Sequence, residues 1–488
     1  MPTSRCPAHC PGHGLSRRAF LGTGAWMVGS ALAAGCAGAG PREAAVDLEP
    51  LQPYGPGSKV SPALHAAFVR RKEPYGMWWP GAIYDGEAAR KKYTRLIRET
   101  AKRLGMTLTL RPEPIHSNQE ADKWLAEAKK AKPDGLLVVL LDRQKHSWPT
   151  AAKAMDSGLS TVVYSPVGSS FTTNTARLAK KPHSVIYATD DTRQLVFGMK
   201  MVQARARMRA ARCLVLRGNQ RQDRPLADLS MTLRYVPAGD FLTEYEKTET
   251  DAEIRAIADD YVKRATRTAG PTRQDVVSGV KSYVVCRRLL EREACDAISM
   301  DCIGALWHKK VTLPCIAWSR MNDEGIPAAC EADTGAIATH TLVQYLFDRP
   351  GFQQDPVPET ARDAIIGAHC TCATRLNGFG EPPEPFYLSH HHGNRDAVPR
   401  TMWKVGRRVT SADILPGKPS KMLIASGEVL ENVQVPPAGG CVVSVMVRFD
   451  DTENVLTWPG FHQVWFYGDY KDELVEFCQF AGIQPQIC

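Results

Sequence analysis

The sequence predicts an α/β protein with two doubly wound α/β domains followed by a mostly β C-terminal domain. Strand-like and helix-like segments alternate from about residue 77 to residue 369, which is typical of parallel sheets covered by helices. After residue 400 the apolar runs are short and rich in β-branched residues, which is typical of an antiparallel barrel or sandwich. At 488 residues the chain is long enough for two or three domains.

The first 40 residues have the features of an export signal. Arg17 and Arg18 precede Phe-Leu and an uncharged Gly/Ala-rich run, as in a twin-arginine signal peptide. This run is too short for a permanent transmembrane helix. Cys36 follows Leu-Ala-Ala-Gly, which resembles a lipoprotein cleavage box, so the signal is either simply cleaved or lipidated at Cys36. We expect the twin-arginine export machinery to deliver the chain to the periplasm or an extracytoplasmic surface, with a membrane anchor only if Cys36 is lipidated.

A Pro/Gly-rich linker is predicted at 41–70 and the first α/β domain at 71–190. The continuous apolar run at 135–141 is typical of a strand that is buried on both faces of a parallel sheet. The predicted strands are 77–79, 107–110, 135–141, 160–164 and 185–188, and the predicted helices are 86–104, 118–131 and 150–157.

The second α/β domain is predicted at 191–370. Its predicted helices are 194–205, 251–265 and 275–293, and its first predicted strands are 213–217, 297–301 and 314–318. No strand is followed by Gly-x-Gly-x-x-Gly or by a Gly-rich loop with Lys, so the sequence does not indicate a nucleotide cofactor.

The segment 326–369 closes the second domain as a predicted βαβ unit. A short apolar strand at 326–330 leads to a helix capped by Asp333 or Thr334, because their side-chain oxygens can accept from free amides of the first turn. Asp-Arg-Pro-Gly ends the helix at 348–351, and 352–355 is predicted as a second strand.

Glu331 and Asp355 stand at the C-terminal ends of these two predicted strands. Neighbouring parallel strands lie about 4.8 Å apart, and ligands of open α/β sheets bind at this edge. The two carboxylates could therefore hold a divalent cation or act as an acid/base pair. The alternative is a helix-capping acid and a turn acid, both solvated.

The C-terminal domain is predicted at 371–488, with a barrel-like β part and a closing helix. Residues 373–399 are loop-rich and contain three consecutive histidines. The predicted strands are 422–425, 429–435, 441–449 and 464–467, and the closing helix is 472–480.

The net charge of +9 is spread along the chain, and no basic stripe is interleaved with aromatic residues. We therefore expect no nucleic-acid partner. The chain has fourteen cysteines. Twin-arginine export carries folded proteins, so many of them can remain reduced thiols. Five lie in apolar sequence surroundings that are typical of small core residues: Cys286, Cys295, Cys302, Cys315 and Cys330.

Three motifs resemble the L-fucose isomerase / L-arabinose isomerase superfamily. Glu331 and Asp355, 24 positions apart, resemble the glutamate and aspartate metal ligands of fucose isomerase. Gly-Ala-His ending at His369 resembles the motif that supplies a histidine ligand in arabinose isomerase. Trp-Pro-Gly-Phe-His ending at His462, with the helix after it, resembles the segment that carries the last histidine ligand. The domain order, two Rossmann-like α/β domains and then a β domain, is also that of the superfamily.

The resemblance implies a metal site with Glu331, Asp355 and His462 as ligands, and His369 as a ligand or a buried, hydrogen-bonded histidine. Carboxylate and imidazole donors together suit a hard divalent cation, and the family implies Mn²⁺. It also implies that Glu331 and Asp355 act as catalytic acid and base, moving a proton between C1 and C2 of a sugar through an enediol. Relatives are commonly oligomers, so the resemblance implies a possible homo-oligomer.

Further residues are candidates for contact with a sugar. His391, His392 and Arg395 lie in a loop between the predicted ligands and the β domain, with a solvated loop as the alternative. Trp79 and Trp403 could stack on a sugar face or pack in the core. Asp301 ends a predicted strand on the same side as Glu331, where it contacts substrate or caps a helix.

Two other site types are disfavoured by the sequence. His-Cys-Thr-Cys at 369–372 suggests a zinc site, but no second cysteine pair stands at finger-like spacing. No Gly-x-Ser-x-Gly and no convincing Ser/His/Asp order appears.

The sequence thus predicts an exported, metal-dependent sugar isomerase-like enzyme. Two alternatives stay open. One is a carbohydrate-binding protein without catalytic activity. The other is a glycoside hydrolase, since paired carboxylates also cleave glycosidic bonds.

Overall fold

Two helix-covered sheets and an antiparallel β-barrel make up the fold in the computed structural model of this chain. The predicted α/β class with a C-terminal β domain is therefore confirmed. The residues that the structure describes are 54–73, 85–143, 145–226, 229–308, 310–391, 394–434 and 441–488. The predicted signal and the predicted strand at 77–79 lie outside these ranges. None of the described helices is long and apolar enough to cross a membrane.

The first sheet has five strands, all parallel. They are β1 Ala63–Val69, β2 Thr107–Leu110, β3 Gly135–Leu140, β4 Thr161–Ser165 and β5 Ser184–Ala188, in the order β2-β1-β3-β4-β5. The helices are α1 Pro56–Lys59, α2 Gly86–Arg103, α3 Asn118–Ala131, α4 Ser147–Met155, α5 Thr172–Thr175 and α6 Thr192–Ala210. Every residue of β3 is buried, as its continuous apolar run predicts.

The strand β1 lies within the segment predicted as a linker at 41–70. It pairs with β2 on one side and β3 on the other, and its last four residues are buried. The linker prediction is therefore wrong for this strand. Its three alanines have low β propensity, and the Pro and Gly residues before it are typical of a tether, so the local pattern hides a strand that tertiary pairing stabilises.

The second sheet is parallel except for one edge strand. Its strands are β6 Arg212–Leu216, β7 Gln222–Leu226, β8 Met231–Val236, β10 Ala297–Met300 and β11 Ala328–Cys330, in the order β11-β10-β6-β8-β7. Its helices are α7 Gly239–Lys247, α8 Ala252–Arg264, α9 Arg273–Glu293, α10 Cys302–His308, α11 Cys315–Asp323 and α12 Thr334–Phe347. The sequence analysis did not predict β7, β8 or α7.

The predicted strand at 314–318 is wrong, because this segment is the start of α11. Pro314 occupies the position just before the first turn, and seven residues of the helix are buried. A short apolar run has the same pattern in a buried helix and in a buried strand, so periodicity alone could not separate them.

The C-terminal barrel is a closed antiparallel ring of six strands. They are β12 Phe352–Glu359, β13 Ala364–His369, β16 Arg408–Leu415, β17 Lys421–Asn432, β18 Val443–Phe449 and β19 Gln463–Tyr467. The ring runs β16-β19-β12-β13-β18-β17, and pairing of β16 with β17 closes it. The strand β20 Gln484–Ile487 adds to β17 in parallel, after the closing helix α13 Lys471–Ala481.

A small three-stranded sheet occupies part of the predicted loop at 373–399. Its strands are β9 Thr268–Ala269, β14 Phe386–His391 and β15 Arg395–Thr401. The two predicted strands at 422–425 and 429–435 form one long strand, β17, as far as Asn432.

The predicted βαβ unit is corrected at its last strand. The helix α12 is confirmed, with Asp333 as its cap. However, β12 pairs antiparallel with β13 and β19 of the barrel, rather than in parallel with β11. A four-residue strand prediction carries no information about its partner, since pairing depends on segments that are distant in sequence.

The aromatic ring of Phe347, at the end of α12, joins several parts of the fold. Its centroid lies 4.4 Å from that of Tyr470, 5.3 Å from Phe466 of β19 and 6.5 Å from Phe197 of α6. It belongs to one buried apolar cluster that extends from the first sheet to the barrel. The second sheet and the barrel therefore share a core, which holds their edges in a constant relative position.

Asp323, at the end of α11, predicts a pH dependence of stability. Burial raises the pKa of its carboxyl to about 6, although Thr374 and the amide of Arg375 donate hydrogen bonds to it. A raised folded-state pKa means that the folded chain binds this proton more tightly than the unfolded chain. The stabilisation from this group is therefore present at low pH and is lost as pH rises through about 6.

We expect the stability advantage of the unsubstituted protein over Asp323→Asn to grow, by on the order of 1–2 kcal/mol, between pH 7 and pH 4. Urea denaturation at several pH values measures it. Asp363→Asn, at an exposed position, is the control and should show no such trend. Equal trends for the two variants would contradict the prediction.

Candidate metal centre

Glu331 lies in a tight turn between β11 and α12. Its backbone φ is 65° and that of Ala332 is 54°, the left-handed region that non-glycine residues seldom adopt. The amide of Ala332 donates to the carbonyl of Met300, and the amide of Asp333 to that of Cys330. The turn thus holds the Glu331 side chain at the carboxyl edge of the second sheet, a place where such backbone strain is often functional.

The barrel strand β12 is attached to the end of β11 by a side chain. Gln353, which is 5% exposed, accepts a hydrogen bond from the amide of Cys330 at 2.8 Å. Asp355 follows two residues later on the same face of the strand. The two carboxylates therefore become neighbours as predicted, but across a junction of sheet and barrel instead of along one sheet.

The two histidines come from the barrel. His369 ends β13, and His462 directly precedes β19. In the Gly-Ala-His motif, a Cβ on Gly367 would lie 2.5 Å from the ring of Trp465, so only glycine allows this close approach. The histidine side chains are 1% and 8% exposed, respectively.

The ligand atoms of Glu331, His369 and His462 lie within 4.8 Å of one another. Nε2 of His462 is 3.4 Å from Oε2 of Glu331 and 3.2 Å from Oδ1 of Asp355. Nε2 of His369 is 3.7 Å from Oε1 of Glu331. All four residues predicted as metal ligands therefore meet at one place.

His462 has a carboxylate partner on its other nitrogen. Nδ1 of His462 and Oδ2 of Asp333 are 2.9 Å apart, while Oδ1 of Asp333 accepts from the amide of Ala336 to cap α12. A carboxylate that holds the far nitrogen fixes the tautomer and ring orientation of a metal-binding histidine. Sequence analysis had assigned Asp333 only the cap.

The surroundings move the pKa values of the two histidines in opposite directions. Burial lowers the pKa of His369, which favours the neutral imidazole. Burial also opposes a charge on His462, but bonds to Asp333, Asp355 and Glu331 raise its pKa to about 11. A cation binding at this nitrogen has to displace a proton, because a ligating nitrogen must be deprotonated.

These donors fit a divalent metal ion. Neither ring nitrogen of His369 has a hydrogen-bond partner among the described residues, although an unpaired buried imidazole is costly. Two carboxylates and two imidazoles form a set that suits Mn²⁺ and similar ions. The side chains of Glu331 and Asp355 remain 22% and 26% exposed, so the group is open to a substrate on the carboxylate side.

Asp413 on β16 is a further acid that sequence analysis missed. It is 5% exposed, and burial, together with the nearby charge of Asp333, raises its pKa to about 6. The available signal was an acid inside the otherwise uncharged run Val-Thr-Ser-Ala-Asp-Ile of β16. The signal for Asp333 was its position two residues after Glu331.

The structure places the other candidate residues as follows. Oδ1 of Asp301 accepts from the amide of Gly304 and so caps α10, while its contact with a substrate stays a prediction. His391 is buried on β14 at a β-bulge. A guanidinium nitrogen of Arg395 donates to the carbonyl of Val311. None of these interactions joins the Glu331 group.

Trp403 packs in the core, which is one of the two roles that the sequence leaves open for it. It is 2% exposed, and its ring packs against Phe352 at 5.7 Å and Tyr467 at 5.0 Å, leaving no free face. His392 and Trp79 lie outside the described residues.

Asp333→Asn should weaken Mn²⁺ binding about 10- to 100-fold, as loss of a carboxylate partner of a metal-binding histidine does. Helix α12 should stay intact, because asparagine is an equally good cap. Titration calorimetry measures the affinity. The matched control is Asp251→Asn, at the cap of α8, where the carboxylate accepts from Ile254. Equal Mn²⁺ affinities for the two variants would contradict the role given to Asp333.

Comparison with known proteins identifies no family. No protein-family model matches the chain, and no curated protein matches it either. Among solved structures, the chain is similar to a mutant of the XylFII–LytSN complex, with 12% identity over 52% of this chain and 84% of that chain. The TM-score of this match is 0.18, so the likeness carries no argument about function.

Proposed function

We propose that the chain is a metal-dependent aldose–ketose isomerase-like enzyme that acts on a free sugar outside the cytoplasm. The observation that supports this most directly is the meeting of Glu331, Asp355, His369 and His462. They come from the end of β11, from β12, from the end of β13 and from the segment before β19. Such a convergence from four distant segments is expected of a functional site rather than of solvated surface charges.

The residues that would hold the ion are Glu331, Asp355 and His462, with His369 completing the group. Their hard oxygen and imidazole donors favour Mn²⁺. When bound, the ion would polarise the sugar carbonyl and fix the neighbouring oxygen. Asp333 holds His462 in position through Nδ1, so the imidazole presents Nε2 to the site.

Glu331 and Asp355 would carry the proton transfer. Isomerisation of an aldose needs a base that removes the proton from C2 and an acid that returns a proton to C1. Both carboxylates reach the same His462 nitrogen, so they stand close enough to serve adjacent carbons. Both histidines are buried, whereas the two carboxylates are partly exposed.

The test is to load the purified protein with Mn²⁺ and incubate it with free L-fucose, L-arabinose and related aldoses in D₂O. We expect bound metal by elemental analysis, a ketose product, and deuterium at the carbon that receives the proton. Chelation should abolish turnover, and added Mn²⁺ should restore it.

Other outcomes separate the alternatives. Release of sugar from a glycoside, unaffected by chelator, would support a hydrolase and overturn the isomerase proposal. Sugar binding without turnover would support a carbohydrate-binding protein instead. Absence of any bound divalent ion would remove the basis of the metal site.

We also propose export by the twin-arginine route, on the basis of Arg17 and Arg18. Replacing both by lysine should retain the chain in the cytoplasm of a host with this pathway. Fractionation and immunoblotting measure the result. Single replacement of Arg5, which lies outside the motif, is the control. Unchanged export of the double variant would contradict the proposal.

A further inference from the structure

A cavity of about 320 Å³ lies at the edge of the first sheet where its strands begin. Asp134, Ser160 and His183, each directly before a strand of this sheet, form one wall. The C-terminal end of α6 and the closing helix α13 form the others. None of the four proposed metal ligands lines the cavity, so it is separate from the candidate metal centre.

The cavity has the size and part of the lining of a small-molecule site. Its volume is near the lower end of the range of such sites, roughly 300–1,000 Å³. Four apolar side chains that line it are at most 8% exposed: Met208, Leu229, Phe477 and Ile483. Buried apolar groups of this kind suit the carbon part of an organic ligand.

The wall between the first sheet and α13 is fixed by several contacts. The amide of His183 donates to the carbonyl of Gln479 at 2.9 Å. Nε2 of Gln479 donates to the carbonyls of Ala179 and Ser184, at 2.9 and 2.7 Å. The His183 ring lies against Gly482, since a Cβ there would be 2.5 Å from Cε1 of the ring. The packing of α13 on the first sheet therefore forms the cavity in advance of any ligand.

Two arginines of α6 line the cavity. Arg205 and Arg209 are four residues apart, so their side chains lie on one face of the helix. Within the part of the chain that the structure describes, neither side chain takes part in a hydrogen bond, an ion pair or a ring contact. Burial lowers the pKa of Arg205, and the nearby charge of Arg209 lowers it further, while Asp134 opposes both. Two like charges thus lie close together without an ion-pair partner.

The other charged groups nearby are used by the fold. Arg207, between the two arginines, donates to the carbonyl of Gly57 at 3.2 Å, and its guanidinium carbon lies 4.0 Å from the ring centroid of Tyr345. Asp134, the one acid among the described residues that line the cavity, accepts from the amide of Ala63 at 2.8 Å. The two cavity arginines lack such partners, so their donors remain available to a ligand.

We propose that this cavity binds a small phosphate monoester, with its phosphate group between Arg205 and Arg209. Guanidinium groups match phosphate oxygens with paired N–H donors. A phosphate monoester carries a charge of about −1.5 to −2 at pH 7, which matches two guanidinium groups, whereas a carboxylate carries one charge. Ser160 and Ser230 also line the cavity, and their hydroxyl groups can donate to the same oxygens.

The test is a calorimetric titration of the full-length, metal-free protein with glycerol 3-phosphate. Binding should be saturable, and glycerol, which lacks the phosphate, should not bind. Arg205→Gln and Arg209→Gln should each weaken binding at least about tenfold, because each removes charged donors to the phosphate. Arg98→Gln, at an exposed position of α2, is the control and should leave the affinity unchanged.

A second measurement separates loss of binding from loss of folding. Arg209 is exposed, so its replacement should preserve the fold, and circular dichroism of the unliganded variants checks this. Glycerol 3-phosphate should raise the Tm of the unsubstituted protein but not that of the two cavity variants. Equal affinities of Arg209→Gln and the control, equal binding of glycerol, or no binding at millimolar concentration would overturn the proposal. Since the protein is metal-free, none of these outcomes depends on the isomerase proposal.

Discussion

Glu331→Gln should lower the rate of ketose formation by about three orders of magnitude or more, because it removes both a metal ligand and an acid/base group. The substitution keeps the size of the side chain and leaves the left-handed backbone at this position unchanged, so folding should be preserved. The charge that attracts the cation is lost, and Mn²⁺ affinity should fall with activity. Elemental analysis and ketose assay of the same preparation measure both effects.

The matched control for Glu331→Gln is Glu381→Gln, since Glu381 is exposed and lies outside the centre. It should bind Mn²⁺ and turn over sugar like the unsubstituted protein. Retained Mn²⁺ affinity with lost turnover in Glu331→Gln would leave the residue as acid/base only and contradict its role as ligand. Retention of both properties would contradict the proposed centre.

Phe347→Ala should destabilise the chain by about 3–5 kcal/mol, the usual cost of removing a buried phenylalanine. The ring contacts Phe197, Phe466 and Tyr470, so the cavity would open between the α/β part and the barrel. Because packing there fixes the relative position of Glu331 and His462, Mn²⁺ affinity should fall as well. Urea denaturation followed by circular dichroism measures the stability.

Val405→Ala is the control for this substitution, because Val405 is 60% exposed. Its effect should stay within about 0.5 kcal/mol, as is usual for surface positions. A comparably small effect of Phe347→Ala would show that the two parts of the fold do not depend on this contact.

The elements that the sequence predicts well are those with a long local pattern. Helix α9 at Arg273–Glu293 and helix α12 at Thr334–Phe347 have repeated apolar positions and a capping residue. These signals act within one or two turns and need no distant partner. The seven-residue strand β1 lacks such a signal, since its stability depends on pairing with β2 and β3.

The positions of the site residues were predictable, but the way the fold assembles them was not. The resemblance indicates Glu331, Asp355, His369 and His462, and the structure brings all four together. The predicted βαβ unit correctly makes Glu331 and Asp355 neighbours. The strand pairing that it predicts is wrong, because β12 belongs to the barrel. Spacing along the chain restricts where a strand can go, and side chains such as Gln353 decide where it attaches.

The partners of the site residues were the hardest to predict. The sequence pattern indicates Asp333 as a helix cap, and nothing in that pattern indicates its second contact, with His462. No local pattern encodes a contact between residues 129 positions apart, such as the one between Asp333 and His462.

Phe352 of β12 pairs with Trp465 of β19. The position of His462, the last proposed ligand in the chain, therefore depends on the pairing of two segments that are distant in sequence. Contacts between segments so distant in sequence form late, since the entropy of loop closure must be lost before they stabilise the chain. His462 enters the centre only when β19 joins the ring, after every other ligand has been synthesised. A chain in which all four proposed ligands hold an ion has therefore closed the barrel. Retention of an ion at the proposed centre would therefore distinguish chains with a closed barrel from partly folded ones.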